Sequence, residues 1–380
     1  MGAQIKSPGA NHAIYMGYSP RFDKDLAEIG MPAALSPTPL RAQLGHKTKV
    51  AKLCRQLGLA SNLSVDFTSV VESDVDRVFE NGQSRLGLPF IIQATHGGGG
   101  AGTFLISSIE DLQNVQPNMA KGARASRYLS KSNPYSVQIC VSETHTNVSD
   151  PFLQIIDLGD VSRKPFSYAG SDSATHSLEE DDIHWMMDAA MKIGAQLRKS
   201  GYRGLAGVDF LQDLETGRVF VQEVNTRIIW LGNLITAIQR DQSIALDFAR
   251  HLQAFGISLQ GRFDATRSND EMDLSTKGYA QVTLLHTDDE PKTAARECRP
   301  GIFDITEGKL VPKNPSLCLK DMNEDQVLVT YFADLGTELA PDDLIANLMF
   351  KRSVVAQDCH GFSDWGRLVL DAVKRHVLEA

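Results

Sequence analysis

The sequence has no apolar stretch of transmembrane length and no signal-peptide core behind its opening MGAQIKSPGA. A membrane-spanning or secreted protein is therefore not expected, and a cytoplasmic one is. The Met-Gly start lacks a myristoylation signal, because Ser7 falls one position too late. No run of Lys or Arg occurs, and 38 basic against 47 acidic residues leave a net charge of −9. That balance argues against a nucleic-acid or polybasic membrane surface. Cysteine is sparse: Cys54, Cys140, Cys298, Cys318 and Cys359 are scattered, odd in number and without CxxC spacing. They read as reduced thiols, not as a disulfide or zinc framework. Cys359-His360 is an isolated adjacency and reads as structural. Internal repeats and low-complexity tracts are also missing.

What is present is the composition of a soluble globular protein, 42% hydrophobic and 22% charged, over 380 residues, a length that suggests two or three domains. Residues 1–45 are rich in Gly, Pro and Ser, with one short helical element, FDKDLAEIG. HKTKVAKLCRQL places Val50, Leu53, Cys54 and Leu57 at helical spacing before Gly58. A strand (VDFTSVV) and a short helix (ESDVDRVFENG) follow. SLEEDDIHWMMDAAMKIGAQLRKSG is an amphipathic helix, acidic in its first turn and basic in its last. Its expected buried stripe is Met186, Met187, Ala190, Ile193 and Leu197, and Gly201 stops it. NLITAIQRDQSIALDFARHLQAFG predicts one or two helices, and the polar run 262–278 a linker. In the last hundred residues YAQVTLLH and QVLVTYFAD predict strands, DDLIANLMFKRSVVA and WGRLVLDAVKRHVL helices.

Two stretches carry chemistry. LPFIIQATHGGGGAGTFLIS is a strand, a loop (His96, Gly97, Gly98, Gly99, Gly100, Ala101, Gly102, Thr103) and a returning strand. Its glycines let backbone N–H groups approach an anion without Cβ interference. The loop is neither a Walker motif nor a Rossmann fingerprint, because it returns into a strand. GLAGVDFLQDLETGRVFVQEVNTR reads as a hairpin turning near Thr216. Residues equally far from the turn pair, so Asp209 should face Glu223, with Asn225 on the same face as Glu223. Directly opposed side chains lie ~5 Å apart, and two carboxylates that close favour a cation between them. An oxygen-only set suits Mg²⁺. A solvated hairpin with two acids on its wet face fits the same residues, as an ordinary surface position fits Lys47.

Glycine hairpin, helix, then Asp…Glu-x-Asn on paired strands, in that order, resembles the ATP-grasp superfamily. The likeness is greatest to its biotin carboxylase and carbamoyl phosphate synthetase branch, and covers roughly residues 45–260. The resemblance implies an α/β (α+β) ATP-grasp fold. Residues 1–45 would be a remnant of the preceding domain, 46–265 the grasp with its lid at about 88–165, and 266–380 a small α+β domain like that of biotin carboxylase. It further implies that Asp209, Glu223 and Asn225 hold Mg²⁺ (or Mn²⁺) bridging ATP phosphates. Lys47 would touch the phosphates under a lid running from His96 and Gly97 to Thr103. Arg127, Tyr128 and Leu129 fall at the adenine hinge, Leu211 against the base, and Arg227 on an anionic substrate. Tyr168 and Arg163 are further candidates for the substrate side, and Trp230 for a pocket wall.

Three departures from the family pattern stand out. Gln93 occupies the place of a lysine on the strand entering the glycine loop, which moves positive charge to Arg124 or Arg127. Leu231 stands where biotin carboxylase has a glutamate base. The stretch before Lys47 is short, so the domain that usually precedes the grasp is either largely lost or supplied by a partner subunit or a homodimer mate. The implied activity is an ATP-dependent carboxylate–amine ligase acting on an amino acid or small peptide through an acyl phosphate. ATP-dependent carboxylation and a nucleotide-binding subunit without turnover are the alternatives.

Overall fold

The computed structural model describes residues 12–15, 19–95, 99–100, 102–174, 177–244, 246–257 and 278–379. The 262–278 run expected as a linker lies almost wholly outside them. Two antiparallel sheets organise the described residues. The smaller contains β1 (Ser64–Phe67), β2 (Phe90–Ala94), β3 (Thr103–Ile106) and β4 (Ala123–Arg127) in the order β1-β4-β2-β3. The helix Val75–Leu86 covers it, burying Val78 against Phe90 and Ile92, and Ile106 and Leu112 complete that core.

The larger sheet begins with β5 (Ser132–Val141), β6 (Thr146–Val148), β7 (Phe152–Ile156), β8 (Tyr168–Asp172), β9 (Gly204–Asp213) and β10 (Val219–Asn225). It continues through β11 (Ala280–Leu285), β13 (Gly301–Thr306), β14 (Lys309–Asn314), β15 (Gln326–Phe332) and β17 (Leu344–Phe350), with the order β10-β9-β5-β7-β8-β11-β17-β15-β13-β14 and β6 beside β5. The short β12 (Lys292–Thr293) and β16 (Glu338–Leu339) pair separately. Because β8 pairs β11, one core runs from the hairpin into the C-terminal strands.

The helix Glu180–Lys199 packs on this sheet through Met186, Ala189, Ala190, Ile193, Gly194 and Leu197. Met187, expected in that stripe, is only half-buried. Residues 344–350, read as a helix from their spacing, form a strand instead. LIANLMF has apolar residues at helical intervals, but β17 is bonded on both sides, to β11 and β15. Those distant partners override a weak local preference.

His251 ties three parts of the chain together. The Leu205 N–H donates to its Nδ1 (2.9 Å), so the proton sits on Nε2, which donates to the Ala34 carbonyl (2.8 Å). The ring is 1% exposed, and burial pulls its pKa from 6.5 to about 4. The unfolded chain therefore binds the proton first. Stability from this group is present above about pH 6.5 and is lost as pH falls towards 4, by about 3 kcal/mol. Melting curves across that window should show the loss in the wild type and a weaker one in His251→Gln.

Candidate active site

The β9–β10 hairpin supplies the acidic end of a cavity of about 420 Å³ between the two sheets. Near the turn the ladder runs Val219↔Gln212, Phe220↔Leu211 and Val221↔Phe210, then shifts so that Glu223 faces Asp209 and Asn225 faces Gly207. Gln222 is the extra residue of a β-bulge. In a regular strand 219, 221, 223 and 225 share one face. Val219 and Val221 belong to the core, and after the bulge it is Val224 that does, while Glu223 and Asn225 line the cavity. The pairing expected from symmetry about Thr216 is thus found, but the bulge brings it about.

Asp209 is well bonded. Ser136 Oγ (2.8 Å) and Gln154 Nε2 (3.3 Å) donate to Oδ1, and Asn225 Nδ2 (2.7 Å) to Oδ2. Burial and then the nearby Glu223 charge push its carboxyl up to about 7, with the donors and Arg227 opposing. Lys47, for which an ordinary surface position is the alternative, is buried. Its Nζ lies 4.0 Å from Glu223 Oε1, with side chains 6% and 21% exposed. A single 3₁₀ turn, Lys47–Lys49, ahead of the helix Val50–Leu57 places it there.

Arg127, Tyr128, Leu129 and Leu211 line one end of the same cavity. Gln93, Gly99, Gly100 and Thr103 line the wall formed by the smaller sheet. Gln93 Nε2 lies 3.3 Å from the Thr103 hydroxyl, its partner in the β2–β3 ladder. Gly102 accepts from the Ala94 N–H (2.9 Å) and keeps the loop's two ends together. His96, Gly97 and Gly98 lie outside the described residues. Arg227, Tyr168 and the half-exposed Trp230 (49%) line the remaining end. Arg163 does not join them: it pairs with Asp289 (2.5 Å) on the surface.

No family model matches the chain. The α subunit of methylcrotonoyl-CoA carboxylase from Arabidopsis thaliana is 23% identical over 236 residues, which is 60% of this chain and 30% of that protein. Among solved structures, the biotin carboxylase domain of Hydrogenobacter thermophilus 2-oxoglutarate carboxylase superposes with a TM-score of 0.60 at 16% identity. That match covers 87% of this chain and 66% of the other, which was crystallised with magnesium ADP and bicarbonate. Biotin carboxylase from Campylobacter jejuni gives 0.60 at 14% identity over 87% and 67%. N5-carboxyaminoimidazole synthase from Aspergillus clavatus gives 0.54 at 12% over 86% and 74%. This is the ATP-grasp fold. The cavity lies between the two sheets, with the hairpin acids on one side and Gly99, Gly100 and Thr103 on the other. The chain spans about 30% of the curated relative's length and 66% of the Hydrogenobacter domain.

The donor set fits a substrate-bridged cation better than a protein cage. No cluster of three or more His, Cys, Asp or Glu occurs among the described residues. Two carboxylates lie in opposed register, Asp209 holding its proton through burial and then the Glu223 charge, and a divalent ion would stabilise both in their charged form. Asn225 spends its N–H on Asp209 and keeps a carbonyl oxygen for such an ion.

Several grasp residues had no sequence signal. Ser136 and Gln154 reach Asp209 from neighbouring strands. Gln281 on β11 donates to the Tyr168 hydroxyl (3.2 Å) and the Trp230 carbonyl (3.0 Å), fixing that wall from the C-terminal strands. Burial pushes the Tyr168 phenol up to about 12, and its hydroxyl is also bonded to Ser171 Oγ (2.8 Å). Cys359 and His360, read as structural, line the cavity as well. The loop bearing them is anchored by the buried Asp172, which accepts from the N–H groups of Val354 (2.8 Å) and Val355 (3.3 Å).

Proposed function

We propose that the chain is an ATP-dependent carboxylate–amine ligase, joining an amino acid or small peptide to an amine and releasing ADP and phosphate. The observation that carries this reading is the order of groups around one cavity: opposed acids with an amide, a buried lysine, an arginine beyond them, and a glycine loop as the facing wall. ATP would lie along it, its base among Arg127, Tyr128, Leu129 and Leu211 and its phosphates near Lys47 and the hairpin acids. Mg²⁺ (or Mn²⁺) held by Asp209, Glu223 and Asn225 would neutralise charge on the transferring phosphoryl group. Arg227 presents a planar fork to the substrate carboxylate and orients it for phosphorylation. The amine then displaces phosphate from the acyl phosphate, and the closed loop keeps water from doing the same. No protein nucleophile is required.

A carboxylase is the second reading, favoured by the carboxylases among the solved structures of like fold. Leu231, at the position of the glutamate that would serve as base, is 2% exposed and takes no proton. On the same footing we place the ATP grasp at residues 46–265 and an accessory α+β domain at 266–380, working as a homodimer or with a partner subunit in the cytoplasm. Among the described residues no helix is long and apolar enough to cross a membrane.

The test is phosphate release from Mg-ATP with amino acids singly and in pairs. Release that needs one particular pair, with an amide found by mass, supports the ligase. Release with bicarbonate alone supports the carboxylase, and nucleotide binding without release a non-catalytic subunit. Arg227→Ala should lower ligation by about a hundredfold and ATP affinity by no more than about threefold. An equal fall in both removes Arg227 from the substrate side.

A further inference from the structure

Arg124 is a charged residue that the proposed reaction leaves unused. It lies on β4, directly across from Gln93 on β2. Gln93, Ile91 and Ser126 on that face of the smaller sheet all line the cavity. Arg124 does not reach it and is 1% exposed. Its Nη1 instead donates to the carbonyl of Gln222 at 2.6 Å. Nε and Nη2 are buried with no hydrogen-bond partner among the described residues. Asp66 and Glu223 are the acids whose fields it feels most.

Gln222 is the bulge residue, and the bulge decides which way Glu223 points. A bulge frees a backbone carbonyl from the ladder, and a buried free carbonyl costs about 1–3 kcal/mol unless something donates to it. On its outer edge the same strand is held by the Val221 N–H, which donates to the Ala60 carbonyl (3.0 Å). The guanidinium answers the carbonyl from the other sheet. Were the bulge to slip out, Gln222 would take the place opposite Asp209, and Glu223 and Asn225 would turn to the core face occupied by Val219 and Val221.

We infer that Arg124 is a positioning residue: it fastens the glycine-loop sheet to the hairpin bulge and so holds Glu223 opposite Asp209. The inference rests on the nucleotide–metal reading above, but one of its tests does not. Amide hydrogen exchange of ligand-free protein should be faster in Arg124→Met over residues 219–225, with the helix Glu180–Lys199 unchanged. In binding titrations the same variant should raise the Mg²⁺ concentration for half-saturation about ten- to a hundredfold. Nucleotide affinity without metal should stay within about twofold, and Arg124→Lys, which keeps one donor and the charge, should recover most of the loss. Should Arg124→Met fail to fold, Arg124→Lys is read in its place, with faster exchange in the same segment and a Mg²⁺ shift of about threefold in the same direction. Unchanged exchange at residues 219–225, or metal and nucleotide constants that move together, overturns the inference. A wild type that binds no nucleotide defeats the functional reading, while the exchange experiment still decides the role of Arg124.

Discussion

Asp209→Asn is expected to abolish phosphate release and at the same time to stabilise the ligand-free protein. The two effects share one cause. Asp209 sits opposite Glu223, and burial together with that neighbour holds its carboxyl at about 7, against 3.8 for an ordinary aspartate. The folded state therefore keeps a proton that the unfolded chain releases between about pH 4 and 7, and stability from this group declines as pH rises through that window. Asn225 and Ser136 can still bond an amide at 209, because the Asn225 side chain can turn its oxygen to the new N–H. The substitution thus removes a charge without orphaning a partner. Unfolding free energies of wild type and variant should coincide near pH 4 and separate above pH 7, by about 4 kcal/mol in favour of the variant. Adding Mg-ATP should raise the wild type above the variant, because a cation relieves the repulsion only where both acids remain. Turnover should fall about a thousandfold, the scale for losing one group that stabilises transition-state charge. Parallel melting curves at all pH values would show that the two acids are not coupled.

That hairpin was legible because its cause is local: turn residues at Leu214–Gly217, β-formers on both sides, and a period of two. The helix Glu180–Lys199 was legible for the same reason, its charges and the stop at Gly201 lying within its own sequence. The bulge was not. Nothing in RVFVQEVN marks Gln222 as an extra residue, and what holds it is Arg124, ninety-eight positions away in sequence. The strand bearing Arg124, ARASR, has no β-former, and it is a strand because β1 and β2 bond it on both sides. The same holds for β17, where LIANLMF satisfies a helical period and its two neighbours decide otherwise. Chemistry carried by one hairpin or one loop could be read in order along the chain. The parts assembled across strands, Gln154 on Asp209 or Gln281 on Tyr168, needed the fold.

If the chain is the ligase proposed above, Gly100→Ala is expected to uncouple ATP hydrolysis from ligation. Gly100 has φ +86°, and a Cβ there would overlap the carbonyl oxygen of Phe166, in the connection between β7 and β8. The glycine loop thus rests its backbone against the substrate-side wall, where Asp157 and Tyr168 line the cavity. A methyl group must push the loop off that wall by about the width of an atom, and displacements of ~1 Å near reacting groups cost ~100-fold in rate. Amide formation should fall by that factor. Phosphate release should fall less, because water enters through the gap and takes the acyl phosphate that the amine no longer reaches in time. Gly99→Ala separates this contact from loop flexibility. Gly99 is also left-handed, at φ +63°, but its Cβ would meet nothing within 4 Å. Its cost is backbone strain alone, about 1–2 kcal/mol, and its ratio of amide formed to phosphate released should stay at the wild-type value. If both alanines lower the ratio equally, the loop acts through its freedom to move. If only Gly100→Ala does, the contact with Phe166 is the seal that keeps the activated carboxylate for the amine.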